Sequence, residues 1–131
     1  MYKSMKEFID KYGANLIIKH NKSNIILETD NKNIKNNYFL ILHFEDDTFK
    51  ELRSYLETIA KQIWCDFTPK EANSFSSDYE EYYDRKYDNN AYLNLYINGA
   101  LRIEKPDSNS SYLYKFNKKR MESFIYDLAK F

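Results

Sequence analysis

The chain has 131 residues, of which 43% are hydrophobic, 18% aromatic and 31% charged, and its formal net charge is zero. This length and apolar content indicate one folded domain that buries about two-thirds of its surface, and they argue against a disordered chain. No apolar run reaches the roughly 18 residues of a membrane span, and the first ten residues lack the apolar core of a secretory signal.

The beginning of the chain predicts a short helix. Ser4 and Glu7 have the spacing of a capping box, in which side chains satisfy amide donors at a helix start. Apolar residues then recur at helical spacing up to Tyr12, and Gly13 suits a helix end because it adopts a positive φ without a Cβ clash. We therefore expect a helix over residues 5–12.

The next segments have the composition of β-strands. Residues 15–19 and 25–29 flank the turn-forming stretch 21–24, which predicts an antiparallel hairpin. After a polar loop at 30–37, residues 38–44 are apolar at both alternations of a strand. Such a strand belongs in the middle of a sheet with both faces at least partly covered.

Residues 48–64 predict the helix around which the core is organised. Thr48 and Glu51 form a second capping-box pattern. Five apolar side chains recur at alternating steps of three and four and share one stripe: Phe49, Leu52, Leu56, Ile59 and Ile63. Burying them contributes on the order of 10 kcal/mol before the entropy of ordering is subtracted.

The middle of the chain predicts a loop and then a short helix. Residues 66–77 contain Pro69 with a cluster of Ser and Asn, which is typical of a loop. Ser77 and Glu80 have capping-box spacing and predict a helix that reaches about residue 87. In that helix three tyrosines fall four residues apart on one face, namely Tyr79, Tyr83 and Tyr87.

A second hairpin is centred on an Asn-Gly pair, and its register can be argued. A two-residue turn would place Leu95 opposite Arg102, whereas a three-residue loop at 97–99 places Leu95 opposite Leu101. Only the second register separates apolar from polar side chains. We therefore predict the three-residue loop, with Gly99 at the positive-φ bulge position.

The last segments predict a short strand and a helix. Residues 112–116 are strand-like, and a helix begins at Asn117, with Phe116 and Met121 spaced as a hydrophobic staple. The predicted order is α-β-β-β-α-(α)-β-β-(β)-α. We therefore expect a single α+β domain over residues 1–131, in which two main helices pack on an antiparallel sheet of about five to six strands.

Few side chains in the sequence are arranged for catalysis. The single cysteine, Cys65, excludes an internal disulfide, fits a reducing cytoplasm, and comes just past a predicted helix end. His20 and His43 belong to no catalytic or metal-binding motif, and the two glycines form no phosphate-binding loop. We expect a cytoplasmic protein that is not an enzyme and has no cofactor or metal; an enzyme that uses Cys65 is the weakest alternative.

Acidic residues and tyrosines are concentrated in one segment. Residues 46–90 hold six bases against eleven acids, a net −5, and residues 78–88 alone hold five acids and four tyrosines. Tyrosine is frequent at binding hot spots, and carboxylates around it steer a basic partner. The predicted partner-binding residues are Asp78, Tyr79, Glu80, Glu81, Tyr82, Tyr83, Asp84, Tyr87 and Asp88. The tyrosines at helical spacing also fit the core face of a short helix, so both interpretations stay open.

A basic group lies at the start of the last predicted helix. Lys118, Lys119 and Arg120 occupy its first turn, and Lys115 comes just before. The helix dipole disfavours cations there, whereas the terminal amides favour an anion such as phosphate. These four residues are candidate anion-binding residues; the alternative is that they are solvated lysines in a lysine-rich chain.

In size and composition the chain resembles small bacterial immunity proteins and phage anti-defence proteins such as anti-CRISPRs. The abundant Asn, Lys, Ile and Tyr have AT-rich codons, which favours a low-GC bacterium, a phage or a mobile element as the source. The resemblance implies an inhibitor that neutralises a nucleic-acid-handling enzyme. The predicted partner is another protein with a basic surface, a toxin or a defence nuclease, and not a membrane. The alternative is a small nucleic-acid-associated protein that uses the basic start of the last helix.

Overall fold

The computed structural model describes residues 4–29, 39–71, 81–84, 89–96, 100–104 and 113–130. In this part of the chain four strands, a helix, four strands and a second helix follow one another. Their bounds are β1 Ser4–Ile9, β2 Asn15–His20, β3 Ile25–Glu28, β4 Phe39–His43, α1 Asp46–Ile63, β5 Glu81–Asp84, β6 Asn89–Leu95, β7 Ala100–Glu104, β8 Leu113–Phe116 and α2 Lys118–Leu128. The predicted α+β class with two main helices is confirmed.

The eight described strands form two antiparallel sheets. The first has the order β1-β2-β3-β8 and the second the order β4-β7-β6-β5. The strands are thus divided between two sheets of four, where we expected one sheet of five to six. The first sheet is completed by β8, which comes from a distant part of the chain and pairs with β3.

The predicted helix over residues 5–12 is wrong, because this segment contains strand β1. It pairs with β2 along its whole length, from Ser4 opposite His20 to Ile9 opposite Asn15. An isolated eight-residue helix is marginal, whereas β2 offers hydrogen-bond partners to the whole segment. Gly13 does have a positive φ, 86°, but it lies in the turn between the two strands and not at a helix end.

Among the described strands β4 lies at the edge of its sheet, and its predicted central position is therefore wrong. Among the described strands it pairs with β7 alone. Its cover is as predicted, since Leu42 is fully buried on one face and Ile41 and His43 are half-buried on the other. Beside it lies the turn after β1, where Lys11 N donates to His43 O at 2.8 Å.

The carboxylate of Asp10 joins this turn to β4. Its Oδ1 accepts from the backbone N of Tyr12 and of Ala14, each at 2.9 Å, and its Oδ2 accepts from His43 N at 3.0 Å. Asp10 is only 6% exposed. A single buried side chain therefore closes the β1–β2 turn and fixes the first sheet to the edge of the second.

Helix α1 begins two residues before the predicted position. Its N-cap is Glu45, and no side chain caps it, so the predicted capping box of Thr48 and Glu51 is wrong. Two acids, Asp46 and Asp47, occupy the first turn instead, where the helix dipole favours negative charge. The predicted apolar stripe is confirmed: Phe49, Leu52, Leu56 and Ile59 are buried and Ile63 is half-buried.

Both predicted hairpins form. β2 pairs with β3 around Asn21, whose Oδ1 accepts from the backbone N of Ser23 and Asn24. In the second hairpin Leu95 lies opposite Leu101, as the three-residue loop predicts. The predicted conformation of Gly99 lies outside the described residues.

One core is shared by both sheets and both helices. Buried side chains from β1 through α2 form a single cluster, in which the Phe116 ring lies 4.6 Å from Tyr114 and 5.1 Å from Phe124, centroid to centroid. Phe116 and Met121 are both fully buried on either side of Asn117. Asn117 caps α2, because its Oδ1 accepts from Arg120 N at 2.9 Å.

We expect Leu56→Ala to lower the free energy of unfolding by about 2–5 kcal/mol, because the side chain is fully buried in α1 and its removal leaves a cavity. Denaturant titration measures the change. Ser54→Ala is the control, since Ser54 is exposed on the same helix and should shift stability by no more than about 0.5 kcal/mol. A loss below about half a kcal/mol for Leu56→Ala would contradict this packing.

We expect Asp10→Asn to destabilise the protein by about 1–3 kcal/mol, because an amide nitrogen replaces one accepting oxygen and leaves a buried backbone donor unpaired. Glu71→Gln, at an exposed position, is the matched control. Hydrogen exchange of the His43 amide gives the local measurement. If this amide exchanges at the wild-type rate in the Asp10 variant, the carboxylate does not join the two sheets.

Candidate partner-binding surface

The structure describes only the centre of the acidic, tyrosine-rich segment. Residues 81–84 form strand β5, so the helix predicted across this position is wrong. The remaining predicted residues, Asp78, Tyr79, Glu80, Tyr87 and Asp88, lie outside the described residues. A tyrosine stripe at helical spacing therefore does not describe the centre of this segment.

Strand β5 forms because β6 supplies its hydrogen-bond partners. The two strands are antiparallel, from Glu81 opposite Tyr92 to Asp84 opposite Asn89. Aromatic residues favour strands, and a Tyr-Tyr pair at the centre of β5 agrees with that preference. The capping-box signal from Ser77 and Glu80 could not show this, because it reflects local spacing only and β6 is a separate segment.

β5 is the outermost described strand of the second sheet, where it follows β6. The sequence Glu-Tyr-Tyr-Asp therefore lies on an edge strand. Edge strands present backbone groups to incoming chains, and charged residues along them discourage nonspecific pairing. An edge strand with an acid at each end thus favours a partner that carries positive charge.

One of the basic candidates, Lys115, belongs to a strand that contacts the acidic strand β5. β8, which carries Lys115, contacts both β5 and β6. It leads through Asn117 directly into α2, which begins with Lys118. The structure therefore brings the acidic segment and the start of the basic group into one region of the fold.

Lys118 is held in an ion pair that the sequence does not reveal. Its Nζ lies 2.9 Å from Oδ2 of Asp66. The hydrogen bond from Lys118, together with a backbone hydrogen bond and the attraction of the cation, lowers the pKa of Asp66. The same hydrogen bond raises the pKa of Lys118. Lys118 is thus occupied by a carboxylate, whereas Lys115 and Lys119 are exposed and Arg120 is half-buried.

Glu122 fastens the segment after α1 to the start of α2. The side chain is 6% exposed, and its Oε2 accepts from Thr68 N at 3.0 Å. The backbone O of Glu122 accepts from Lys70 N at 3.2 Å. Together with the pair of Asp66 and Lys118, these bonds hold residues 66–70 on the first turns of α2. This part of the basic region therefore has a structural role.

Cys65 and the two histidines are distributed over separate elements. Cys65 is exposed after α1, and His20 is buried at the end of β2. The His43 ring, at the end of β4, meets Tyr12 edge-on with 5.6 Å between ring centroids. Within the described ranges, no group of three or more His, Cys, Asp or Glu side chains is placed to hold a metal ion.

Two further surface features were missed from the sequence. A groove of about 460 Å³ runs between α1 and α2, with charges of both signs among its lining residues Arg53, Glu57, Pro69, Ile125, Tyr126 and Lys130. Three large apolar side chains, Met5, Ile9 and Tyr12, are exposed on β1 and the turn after it. No alternation of polar and apolar residues identifies β1 in the sequence, because residues 4–9 read Ser-Met-Lys-Glu-Phe-Ile.

Comparison with protein-family models, with curated proteins and with solved structures finds no match to this chain. Neither of the two described helices combines the length and apolar character needed to cross a membrane. Function must therefore be argued from the geometry and charge of the chain itself.

We expect Lys118→Met to raise the pKa of Asp66 towards its ordinary value, because the hydrogen bond and the nearby cation are both removed. Lys119→Met is the matched control, since it removes the same charge from the same helix turn without touching Asp66. Carboxyl chemical shifts in an NMR titration report the pKa. An Asp66 pKa unchanged by Lys118→Met would contradict the ion pair.

The same pair determines a pH window for stability. Because the folded pKa of Asp66 is lowered, its contribution is present above the ordinary carboxyl pKa of about 4 and is lost as the pH falls through the folded value. Because the pKa of Lys118 is raised, its contribution is lost only as the pH rises through that folded value. The stability difference between wild type and Lys118→Met should therefore shrink in acid.

Proposed function

We propose that this chain is a non-catalytic cytoplasmic protein-binding inhibitor that acts on a nucleic-acid-handling enzyme. Its acidic, tyrosine-rich segment, residues 78–88, contacts a basic surface of that enzyme. The observation that supports this most directly is the position of β5, which places the centre of the segment on the edge of a sheet. The backbone groups of an edge strand are available to an incoming strand, and charged residues along the edge discourage nonspecific pairing.

Charge supports the choice of partner. Enzymes that handle nucleic acids carry Lys and Arg where they bind phosphates. The acidic excess of this chain is concentrated in residues 46–90, which contain eleven acids and six bases. Carboxylates grouped in this way steer a cationic protein to the surface and raise the association rate.

Tyrosine supplies the contact area that charge alone does not. Each ring offers a large, rigid apolar surface with a polar tip, which is why tyrosine is frequent at binding hot spots. β5 has Tyr82 and Tyr83 at its centre. We infer that acids set the rate of encounter and that tyrosines hold the complex.

The proposed partners are bacterial toxin nucleases and defence nucleases. The direct experiment adds the purified chain to nuclease domains of bacterial toxins and to RNA-guided defence nucleases and measures their cleavage rates. Inhibition at near-equimolar ratio, with no cleavage by the chain itself, is the expected result. Filter binding of single- and double-stranded nucleic acid, titrated with salt, runs in parallel.

A nucleic-acid-associated protein is the alternative, because Lys115 and Lys119 are exposed beside the start of α2. Retention of nucleic acid at physiological salt would support it, provided that Lys115→Ala with Lys119→Ala abolishes the retention. That result, with no nuclease inhibited, would overturn the inhibitor proposal. Lys118 is excluded from the test because its ion pair with Asp66 makes its loss structurally ambiguous.

Reversing Glu80, Glu81 and Asp84 to Lys together should slow association with the inhibited nuclease and weaken binding. The reason is that the steering field changes sign, and the effect should shrink as salt screens exposed charges beyond about 8–10 Å. Thermal stability should stay within about half a kcal/mol of wild type. Surface plasmon resonance over a salt series measures both rate and affinity.

The matched control reverses Glu45, Glu57 and Glu71, which changes the net charge equally at positions outside the segment. It should reduce the association rate less than the first triple variant. Unchanged rate and affinity in the first variant would show that residues 78–88 are only a solvated surface.

A further inference from the structure

Strand β1 carries apolar side chains that are exposed in the described part of the structure. Met5 is 66% exposed and Ile9 48%. They lie on the same face of the strand because side chains alternate, and Glu7 lies between them on that face. Tyr12, in the turn just after β1, is 79% exposed. Three of the four large apolar residues exposed in the described part of the chain thus cluster here.

The opposite face of β1 packs on the core through Phe8 and on helix α1 through Lys6. Phe8 is 3% exposed, and Lys6 Nζ pairs with Glu51 of α1 at 3.0 Å. The same ammonium lies 5.3 Å from the Phe8 ring centroid and 5.1 Å from that of Tyr55. The strand is therefore a preformed element that needs no reordering before it binds a partner.

One edge of β1 has no partner strand among the described residues. It is the outermost strand of the first sheet and pairs with β2 alone. An outermost strand that also carries exposed apolar side chains is a template for an added strand, unless charge or cover prevents it. On the exposed face of β1, Glu7 is the sole charged side chain, and among the described residues no strand pairs with the second edge.

Glu7 sets the charge of the surface. It is exposed and accepts a hydrogen bond from Asn15 Nδ2 at 2.8 Å, but no described cation forms an ion pair with it. By contrast, the Lys19 and Glu28 charges on the same sheet face pair with each other. Along the exposed face of β1 the side chains are therefore apolar, acidic and apolar in turn, and the acid has no ion-pair partner among the described residues.

We propose that β1 is a docking edge for a β-strand of another protein, whose side chains at three alternate positions are apolar, Lys or Arg, and apolar. Backbone hydrogen bonds would extend the first sheet, and the cation would lie opposite Glu7 between contacts to Met5 and Ile9. This surface lies on the first sheet, whereas β5 lies on the second, so the proposal does not depend on the function proposed above.

A second copy of this chain is the wrong occupant for charge reasons. Antiparallel pairing of two β1 strands, with Met5 of each opposite Ile9 of the other, places the two Glu7 carboxylates directly opposite each other. Like charges at opposed positions destabilise a strand pair. A heterologous strand with a cation at that position removes the repulsion and adds an attraction.

The test uses a peptide of about seven residues, a typical strand length, with Val, Arg and Val at alternate positions and Thr between them. A second peptide replaces Arg with Glu. Each is titrated into the isotopically labelled full chain, and amide NMR shifts are followed. We expect saturable shifts in residues 4–9, with affinity for the Arg peptide about fivefold or more above that for the Glu peptide.

Variants of the chain make the result specific. Glu7→Lys should reverse the preference between the two peptides, and Glu7→Gln, which keeps a hydrogen-bond acceptor for Asn15, should abolish it. Met5→Ser with Ile9→Thr should weaken binding of both, whereas Tyr96→Thr, at the exposed aromatic residue after β6, should not. Each variant is first checked for an unchanged thermal transition.

Three outcomes would overturn the proposal. The first is equal affinity for the two peptides, and the second is a set of shifted amides away from β1. The third is concentration-dependent shifts of residues 4–9 without peptide that Met5→Ser with Ile9→Thr removes, since this would identify a second copy as the occupant. A reversed preference in Glu7→Lys would establish both the site and the charge of its partner.

Discussion

The fold depends on one buried carboxylate, that of Asp10. Its two oxygens accept three backbone donors, two inside the β1–β2 turn and one from His43 on β4. A turn between strands leaves amide donors that cannot find ladder partners, and a buried donor without an acceptor is costly. Asp10 satisfies those donors and, with the same group, fixes the relative position of the two sheets.

Glu122 has a role similar to that of Asp10, because its carboxylate also accepts a hydrogen bond from irregular backbone. Its side chain is also buried, and the donor is the backbone N of Thr68, in the segment that follows α1. In both places an acid stabilises irregular backbone that would otherwise be solvated. Among the described residues, the two buried acids Asp10 and Glu122 therefore have a structural role. The acids of residues 78–88 are concentrated where the sequence carries its tyrosines.

The sequence predicted those elements whose signals are local and mutually consistent. The stripe of α1, the register of Leu95 opposite Leu101 and the Asn117 cap each follow from side chains close to one another in sequence. The errors occurred where a distant partner decided the outcome. Capping-box patterns lie within β1 and just before β5, but each of these segments forms a strand because a neighbouring strand satisfies its backbone. Tertiary contacts that no local spacing encodes determine three further features: the edge position of β4, the ion pair of Asp66 with Lys118 and the exposed face of β1.

The position of β8 has a consequence for how the chain is made. The first three strands of the first sheet lie within residues 4–28, but the fourth is Leu113–Phe116 and pairs with β3. During synthesis, at about 5–20 residues per second, the edge of β3 that pairs with β8 therefore remains unpaired for several seconds. Strand β3 contains Ile25 and Leu27, which are fully buried in the folded protein. Between the emergence of β3 and that of β8, the nascent chain therefore exposes an unpaired strand edge to aggregation and to chaperone binding.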